Sequence, residues 1–148
     1  MVVPLRKSMT EQLLEPSVSV RSVIFNASDD ILILQRDSDN NWELPGGRLS
    51  SYEGVSEGLR REVREETSLS IDIKDILLAN SWINDQNKDR FGVYYVSNTD
   101  QRRVRLSQEH TDFMWTTSSE AAYKLPRAQA KAIQLSCEEM TTKPVLDI

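Results

Sequence analysis

The order of apolar patterns along the chain predicts a layered α+β, or mixed α/β, domain. Strand-like alternation comes first, then a helical stripe, then further strand-like segments and a second helical stripe. Size agrees with this, because 148 residues bury a sizeable core in one domain, 1–148, and leave too little for a second. Hydrophobic residues at 39% and charged residues at 28%, with 5 Gly and 5 Pro, exclude a disordered or fibrous chain.

Residues 1–16 read as a loose lead-in. From Ser17 to Phe25, Val18, Val20 and Ile24 alternate with polar neighbours, the period of a half-buried strand. Asn26 to Asp30 is a polar turn, and the apolar run Ile31-Leu32-Ile33-Leu34 before Gln35-Arg36-Asp37 reads as a buried strand that forms a hairpin with the first. In Trp42-Glu43-Leu44-Pro45-Gly46-Gly47 the proline blocks sheet hydrogen bonding and the glycines allow unusual backbone angles. Val55, Leu59 and Val63, spaced by four, predict a helix over Val55 to Thr67. Ile71, Ile73 and Ile76-Leu77-Leu78 predict a strand, and Phe91 to Val96 another, separated by a polar loop from Asn84 to Asp89. A last strand falls near Phe113-Met114-Trp115, and Ala130, Ile133, Cys137 and Met140 mark a carboxy-terminal helix after Pro126.

The charge balance narrows function. A net charge of -5 gives no cationic field for polymeric nucleic acid, so capped RNA is disfavoured and a small anionic ligand needs a local cation or a metal. The single cysteine, Cys137, excludes an internal disulfide framework and a thiolate zinc cage, and it suits a reducing compartment. No apolar run approaches the roughly 20 residues that span a bilayer, and the amino terminus has no secretory pattern. The expected address is cytoplasmic, with no membrane partner.

The predicted helix carries Arg61-Glu62-Val63-Arg64-Glu65-Glu66. At about 100° per residue, Glu62, Glu65 and Glu66 share one side, because steps of three and four return to nearly the same face. Clustered carboxylates repel, and a hard divalent cation such as Mg2+, with Mn2+ as substitute, resolves the repulsion while keeping positions open for water and phosphates. Gly58, one turn earlier, leaves space in which a ligand can approach above Glu62, and Arg61 can pair with Glu57 or Glu65 to hold the acidic row. An isolated string of this kind would read as a solvated helix face; its position after the Pro-Gly-Gly loop argues for a site.

The segment Gly47 to Leu69 resembles the signature box of the Nudix hydrolases, G-x5-E-x7-R-E-U-x-E-E-x-G-U with U aliphatic. Gly47, Glu53, Arg61, Glu62, Val63, Glu65, Glu66 and Leu69 fall where the pattern requires them. Ser68 stands where the family has a second glycine, the residue that ends the helix in the left-handed conformation. The resemblance implies a Nudix fold, a mixed sheet sandwiched between helices. It implies hydrolysis of a nucleoside diphosphate linked to a further group, with oxidised dGTP one candidate substrate. Mg2+ would be held by Glu62, Glu65 and Glu66 with the Gly46 carbonyl. Glu109, in the loop before Trp115, resembles the glutamate that in the MutT-like branch binds metal or acts as base. The implied catalytic set is therefore Glu62, Glu65, Glu66 and Glu109, with Glu62, Glu66 and Glu109 as alternative proton acceptors, while Gly47, Glu53 and Arg61 brace the loop and helix. Family analogy also raises a homodimer.

Outside the box, Trp82, Phe91 and Tyr94 offer aromatic faces for a nucleobase and Arg36 a cation for phosphate, with packing and a structural ion pair as their alternative roles. His110 reads as structural, and Cys137 as a small core residue. The competing function is a non-catalytic Nudix-fold module that senses a nucleotide; a third, an acidic interaction domain, would bind neither metal nor nucleotide.

Overall fold

The computed structural model describes residues 12–146, with side chains through residue 138. Residues 1–11 of the expected lead-in and the side chain of Met140 lie outside that range. The elements run β1 (Ser17–Phe25), β2 (Ile31–Arg36), β3 (Trp42–Glu43), β4 (Gly46–Arg48), α1 (Val55–Thr67), β5 (Asp72–Ile83), β6 (Asp89–Asn98), β7 (His110–Thr116), α2 (Ser118–Lys124) and α3 (Arg127–Leu146).

All the strands join one mixed sheet whose main path is β3-β2-β1-β6-β5, with β4 added to β1 and β7 to β2. Its spine is the parallel β1–β6 pair, registered from Ser17 opposite Arg90 to Phe25 opposite Asn98. The expected β1–β2 hairpin is antiparallel but pairs only at its base, Phe25 with Ile31. Beyond that point the two strands separate, and the Trp42 to Arg48 segment fills the gap, β3 on β2 and β4 on β1. Pro45 therefore interrupts a pair of short strands where no sheet was expected, and its carbonyl still accepts from Ser22 N–H at 3.0 Å. At Gly46, φ is +145° and a Cβ would overlap the Val20 carbonyl oxygen, so close approach of β4 to β1 admits glycine alone.

Alternation along β1 and β2 divides the core between two faces. Val20, Ile24, Leu32 and Leu34 pack with Leu59 and Val63 of α1. Val23, Phe25, Ile31 and Ile33 pack with Ala121, Leu125, Ala132 and Ile133 of α2 and α3 and the residue joining them. The sheet thus lies between helices. Burying Leu59 or Val63 completely contributes about 1.5–3 kcal/mol each. Val55, the third member of the expected stripe and the first residue of α1, is exposed. Helix α2 was not expected; its N-cap Thr117 side chain accepts from Glu120 N–H. Strand β5 is longer than its apolar residues suggest and carries two register shifts against β6. On α3, Ile133 is buried and Cys137 packs beside it, whereas Ala130 lines a cavity instead of the core. Among the described residues no helix is long and apolar enough to cross a membrane.

Helix α1 ends at Ser68 with φ 66° and ψ 12°, and the Ser68 N–H bonds to the Arg64 carbonyl at 2.9 Å. The serine takes the left-handed conformation that the signature assigns to glycine, at a cost of about 1–2 kcal/mol for a residue with a Cβ. Ser68→Gly is expected to stabilise the fold by about 1 kcal/mol after the added unfolded-state entropy is subtracted. A thermal melt checks this, and an unchanged or lowered midpoint contradicts it.

Candidate active site

Helix α1 delivers the acidic residues and the glycine strand β4 receives them. Glu66, 4% exposed, accepts the Gly46 N–H at 3.0 Å on Oε1. A Cβ on Gly47 would collide with the Glu62 carboxylate, so the second glycine makes room for that side chain. Arg61 clamps the assembly: it donates to both Glu53 oxygens, at 2.5 and 3.0 Å, and to Glu62 and Glu65 at 3.0 and 3.1 Å. Of its two candidate helix partners, Glu65 is therefore the one engaged, and the loop residue Glu53 takes the place considered for Glu57. Glu53 also accepts the Ser50 N–H, and with Arg61 beside it the Glu53 carboxyl is held down to about 2.

Gly58 plays a different part from the one expected. A Cβ there would meet the Leu49 side chain and the Glu53 carboxylate, so packing fills the space and no ligand approaches through it.

Glu109 arrives from the opposite side. Arg105 N–H and Ser107 N–H bond to the carbonyls of Thr67 and Glu66, at 2.9 and 3.2 Å, and tie the loop to the end of α1. The Glu109 carbonyl accepts from Asp37 N–H at 2.9 Å. Together Glu62, Glu66, Glu109, Gly46 and Gly47 line a cavity of about 510 Å³. Glu65 does not line it; its side chain is 60% exposed and pairs with Arg61.

Burial dominates the electrostatics of the two inner carboxylates. It pushes Glu66 up to about 8, against the Gly46 N–H and Arg21, which pull it down. Burial likewise raises Glu62, opposed by Arg61 and assisted by the negative charges of Glu65 and Glu109. All the side-chain donors are carboxylate oxygens, and two of them disfavour ionisation without a counter-charge, so the set fits a hard divalent cation.

Sequence reasoning passed over a second cluster. Glu43 meets Arg21 at 3.2 Å, Arg36 at 3.5 Å and His110 Nε2 at 2.8 Å. Burial raises Glu43, but His110, Arg21 and Arg36 together outweigh that and hold it below its ordinary value. Glu43, Glu66 and His110 bring ligand atoms within 4.8 Å of one another. Two guanidinium groups on Glu43 oppose a further cation there, so this cluster is better suited to bracing β3 against β1, β2 and β7. Its sequence signal was a charged residue inside an alternating strand pattern, at Arg21; Glu43, in the segment before Pro45, carried none.

Arg21, Arg36 and Glu43 also line a second, larger cavity of about 1010 Å³, which adjoins the first. Trp42, Trp82 and Tyr94 supply its aromatic wall, and α3 closes one side. Phe91 lies elsewhere: on β6 it alternates with Tyr94 and shares the α1 face with Val93 and Tyr95, so it lines neither cavity.

Because Glu62 sits against the Cα of Gly47, Gly47→Ala is expected to lower turnover about a hundredfold through displacement of that carboxylate. Steady-state kinetics on the folded variant test this; full activity would show that the contact is unimportant.

Comparison with known proteins places this arrangement. The NUDIX domain model matches residues 15–136, and the chain belongs to the Nudix hydrolase family. A MutT-like protein of Streptomyces ambofaciens is 28% identical over 119 residues, 80% of this chain and 74% of that protein. The 8-oxo-dGDP phosphatase NUDT18 of Danio rerio is 39% identical over 62 residues, 40% of this chain and 19% of the relative's length. Among solved structures, the MutT protein of Methanosarcina mazei superimposes with a TM-score of 0.74 at 26% identity, covering 86% of this chain and 99% of that one.

Proposed function

We propose that this chain is a Mg2+-dependent cytoplasmic pyrophosphohydrolase of small nucleotides: water attacks phosphorus and cleaves the diphosphate linkage of a nucleoside diphosphate joined to a further group, releasing a nucleoside monophosphate and pyrophosphate or the corresponding phosphorylated leaving group. The supporting observation is the junction of the two cavities. Buried Glu66 and half-buried Glu62 line one, an aromatic wall fit for a base lines the other, and Arg21 and Arg36 border both. Relatives that act on nucleotides point the same way.

In this reading Glu62, Glu66 and Glu109, with the Gly46 peptide, would hold the cation, and Glu65, outside the cavity on Arg61, would join them only by leaving that pair. When bound, it supplies neutralisation of the diphosphate charge and orientation of the attacking water. Arg36, whose side chain is 43% exposed, is free to exchange its contacts with Asp39 and Glu43 for a phosphate oxygen. A carboxylate among Glu62, Glu66 and Glu109 accepts the proton of water as the phosphorus–oxygen bond of the anhydride breaks. These groups titrate as a coupled set, so the base is a property of the cluster. Trp82 and Tyr94 would flank the base, a role that suits their place on the cavity wall. Glu53 and Arg61 keep α1 and the glycine loop in register.

The test is a panel of nucleoside triphosphates, oxidised nucleotides, nucleotide sugars, ADP-ribose and dinucleoside polyphosphates, assayed for phosphate or pyrophosphate release with Mg2+ and with EDTA. Turnover of one class that EDTA abolishes is the expected result. Binding without turnover of any member would leave a nucleotide sensor.

A further inference from the structure

We infer that the larger cavity contains a subsite for a second phosphoryl group, at the end remote from the scissile anhydride, formed by Arg127 and Lys131. The inference rests on the nucleotide reading proposed above, and it names the class of nucleotide: one that carries an additional phosphate, either on its ribose or in the far arm of a dinucleoside polyphosphate.

Three observations carry it. At about 1010 Å³ the cavity lies at the upper end of ligand pockets, roughly 300–1,000 Å³, and exceeds what a base needs. Its charges are unbalanced. Arg21, Arg36, Arg127 and Lys131 face a single carboxylate, Glu43, which is already paired with Arg21, Arg36 and His110. This imbalance sits in a chain of net charge -5. Arg127 and Lys131 lie four residues apart on one face of α3, and neither has an ion pair or hydrogen bond among the described residues; α3 has no acidic residue in its first turn to offset them. Finally, Asn80 lines the same cavity and its buried Oδ1 has no hydrogen-bond partner among the described residues; as an acceptor it is suited to a ribose hydroxyl or base amino group of a ligand whose phosphate meets the cations.

The two cations line the larger cavity but not the acidic one, while Arg21, Arg36 and Glu43 line both. A ligand with its anhydride beside Glu62 and Glu66 would thus pass Arg21 and Arg36, seat its base on the aromatic wall and present its far phosphate to Arg127 and Lys131. Paired cations bind phosphate through charge-assisted hydrogen bonds that a neutral ribose hydroxyl cannot replace.

The test compares affinities of the full chain for adenosine and guanosine 5′-monophosphates, their 3′,5′-bisphosphates and diadenosine tetraphosphate, by calorimetry, with Arg127→Gln/Lys131→Gln alongside. The expected result is about tenfold tighter binding of a ligand with the second phosphate, and a ratio near one in the double variant. Preference for a bisphosphate assigns the phosphate to the ribose; preference for the dinucleotide alone assigns it to the far arm. Equal affinities in the native chain, a preference that survives the double substitution, or no binding of any of these ligands overturns the inference. Turnover is scored separately. A chain that hydrolyses nucleotides without this preference keeps the activity and loses the subsite, and one that shows the preference but hydrolyses nothing keeps the subsite and loses the activity.

Discussion

Glu66→Gln is expected to reduce metal-dependent turnover by about 10³-fold while leaving the fold intact. The glutamine carbonyl can still accept the Gly46 N–H that Glu66 Oε1 accepts at 3.0 Å, so the contact between α1 and β4 persists. What is lost is a negative charge at a site where burial already works against it, and with it a ligand for the cation. Glu62→Gln should act in the same direction, whereas Glu65→Gln should cost less, because Glu65 is 60% exposed and stands outside the acidic cavity. Parallel kinetics of the three variants, each checked by thermal melting, give the ranking; equal loss at Glu65 and Glu66 would count against the geometry argued above.

The second large effect is on stability. In EDTA the folded chain holds a proton on Glu66 up to about 8, while the unfolded chain releases it near 4.5. Across that window the folded state binds more protons than the unfolded state, so stability falls as pH rises, by as much as about 1.4 kcal/mol per pH unit, and levels off above 8. Glu62, raised for the same reason, adds to the fall. Glu43 and Glu53 are shifted downward and act oppositely, losing stability as pH drops below their unfolded value of 4.5. Metal-free protein should therefore be most stable near pH 5. Excess Mg2+ should remove much of the decline, since a cation that binds the ionised carboxylates stabilises the folded state alone. Glu66→Gln should flatten the EDTA profile and exceed the native chain in stability at pH 8.5. Denaturant melts at half-unit pH intervals test this, and a native profile that rises from pH 5 to 8 in EDTA would refute it.

Much of this architecture was legible in the sequence because it repeats. Helix α1 announced itself through Leu59 and Val63, and β1, β2 and β6 through alternation or an unbroken apolar run. The signature residues mark the acidic face in the sequence itself. Non-local pairing was hidden. That β1 takes β6 as its long partner and gives β2 only its base follows from competition among segments far apart in sequence. Helix α2 buries a single residue, Ala121, too little to leave a stripe. Gly58 shows the limit of local reasoning: an absent side chain invites a ligand on paper, but Leu49 and Glu53 had already claimed the volume. Arg21 was missed because a charge in an alternating strand reads as solvent-facing, and Glu43 because its segment gave no strand signal, whereas here each buries against the other. Phe91 and Trp82 looked alike as aromatic residues, and only the strand register separates the one on the α1 face from the one on the cavity wall.

The most direct measurement is a Mn2+ titration of the native chain and of the Glu62→Gln/Glu66→Gln double variant at pH 8, followed by paramagnetic resonance of the free ion. The account predicts saturable binding by the native chain, strengthened by a non-hydrolysable nucleoside triphosphate analogue, and loss of that binding in the double variant. Equal binding by both proteins would place the cation away from α1 and contradict the site.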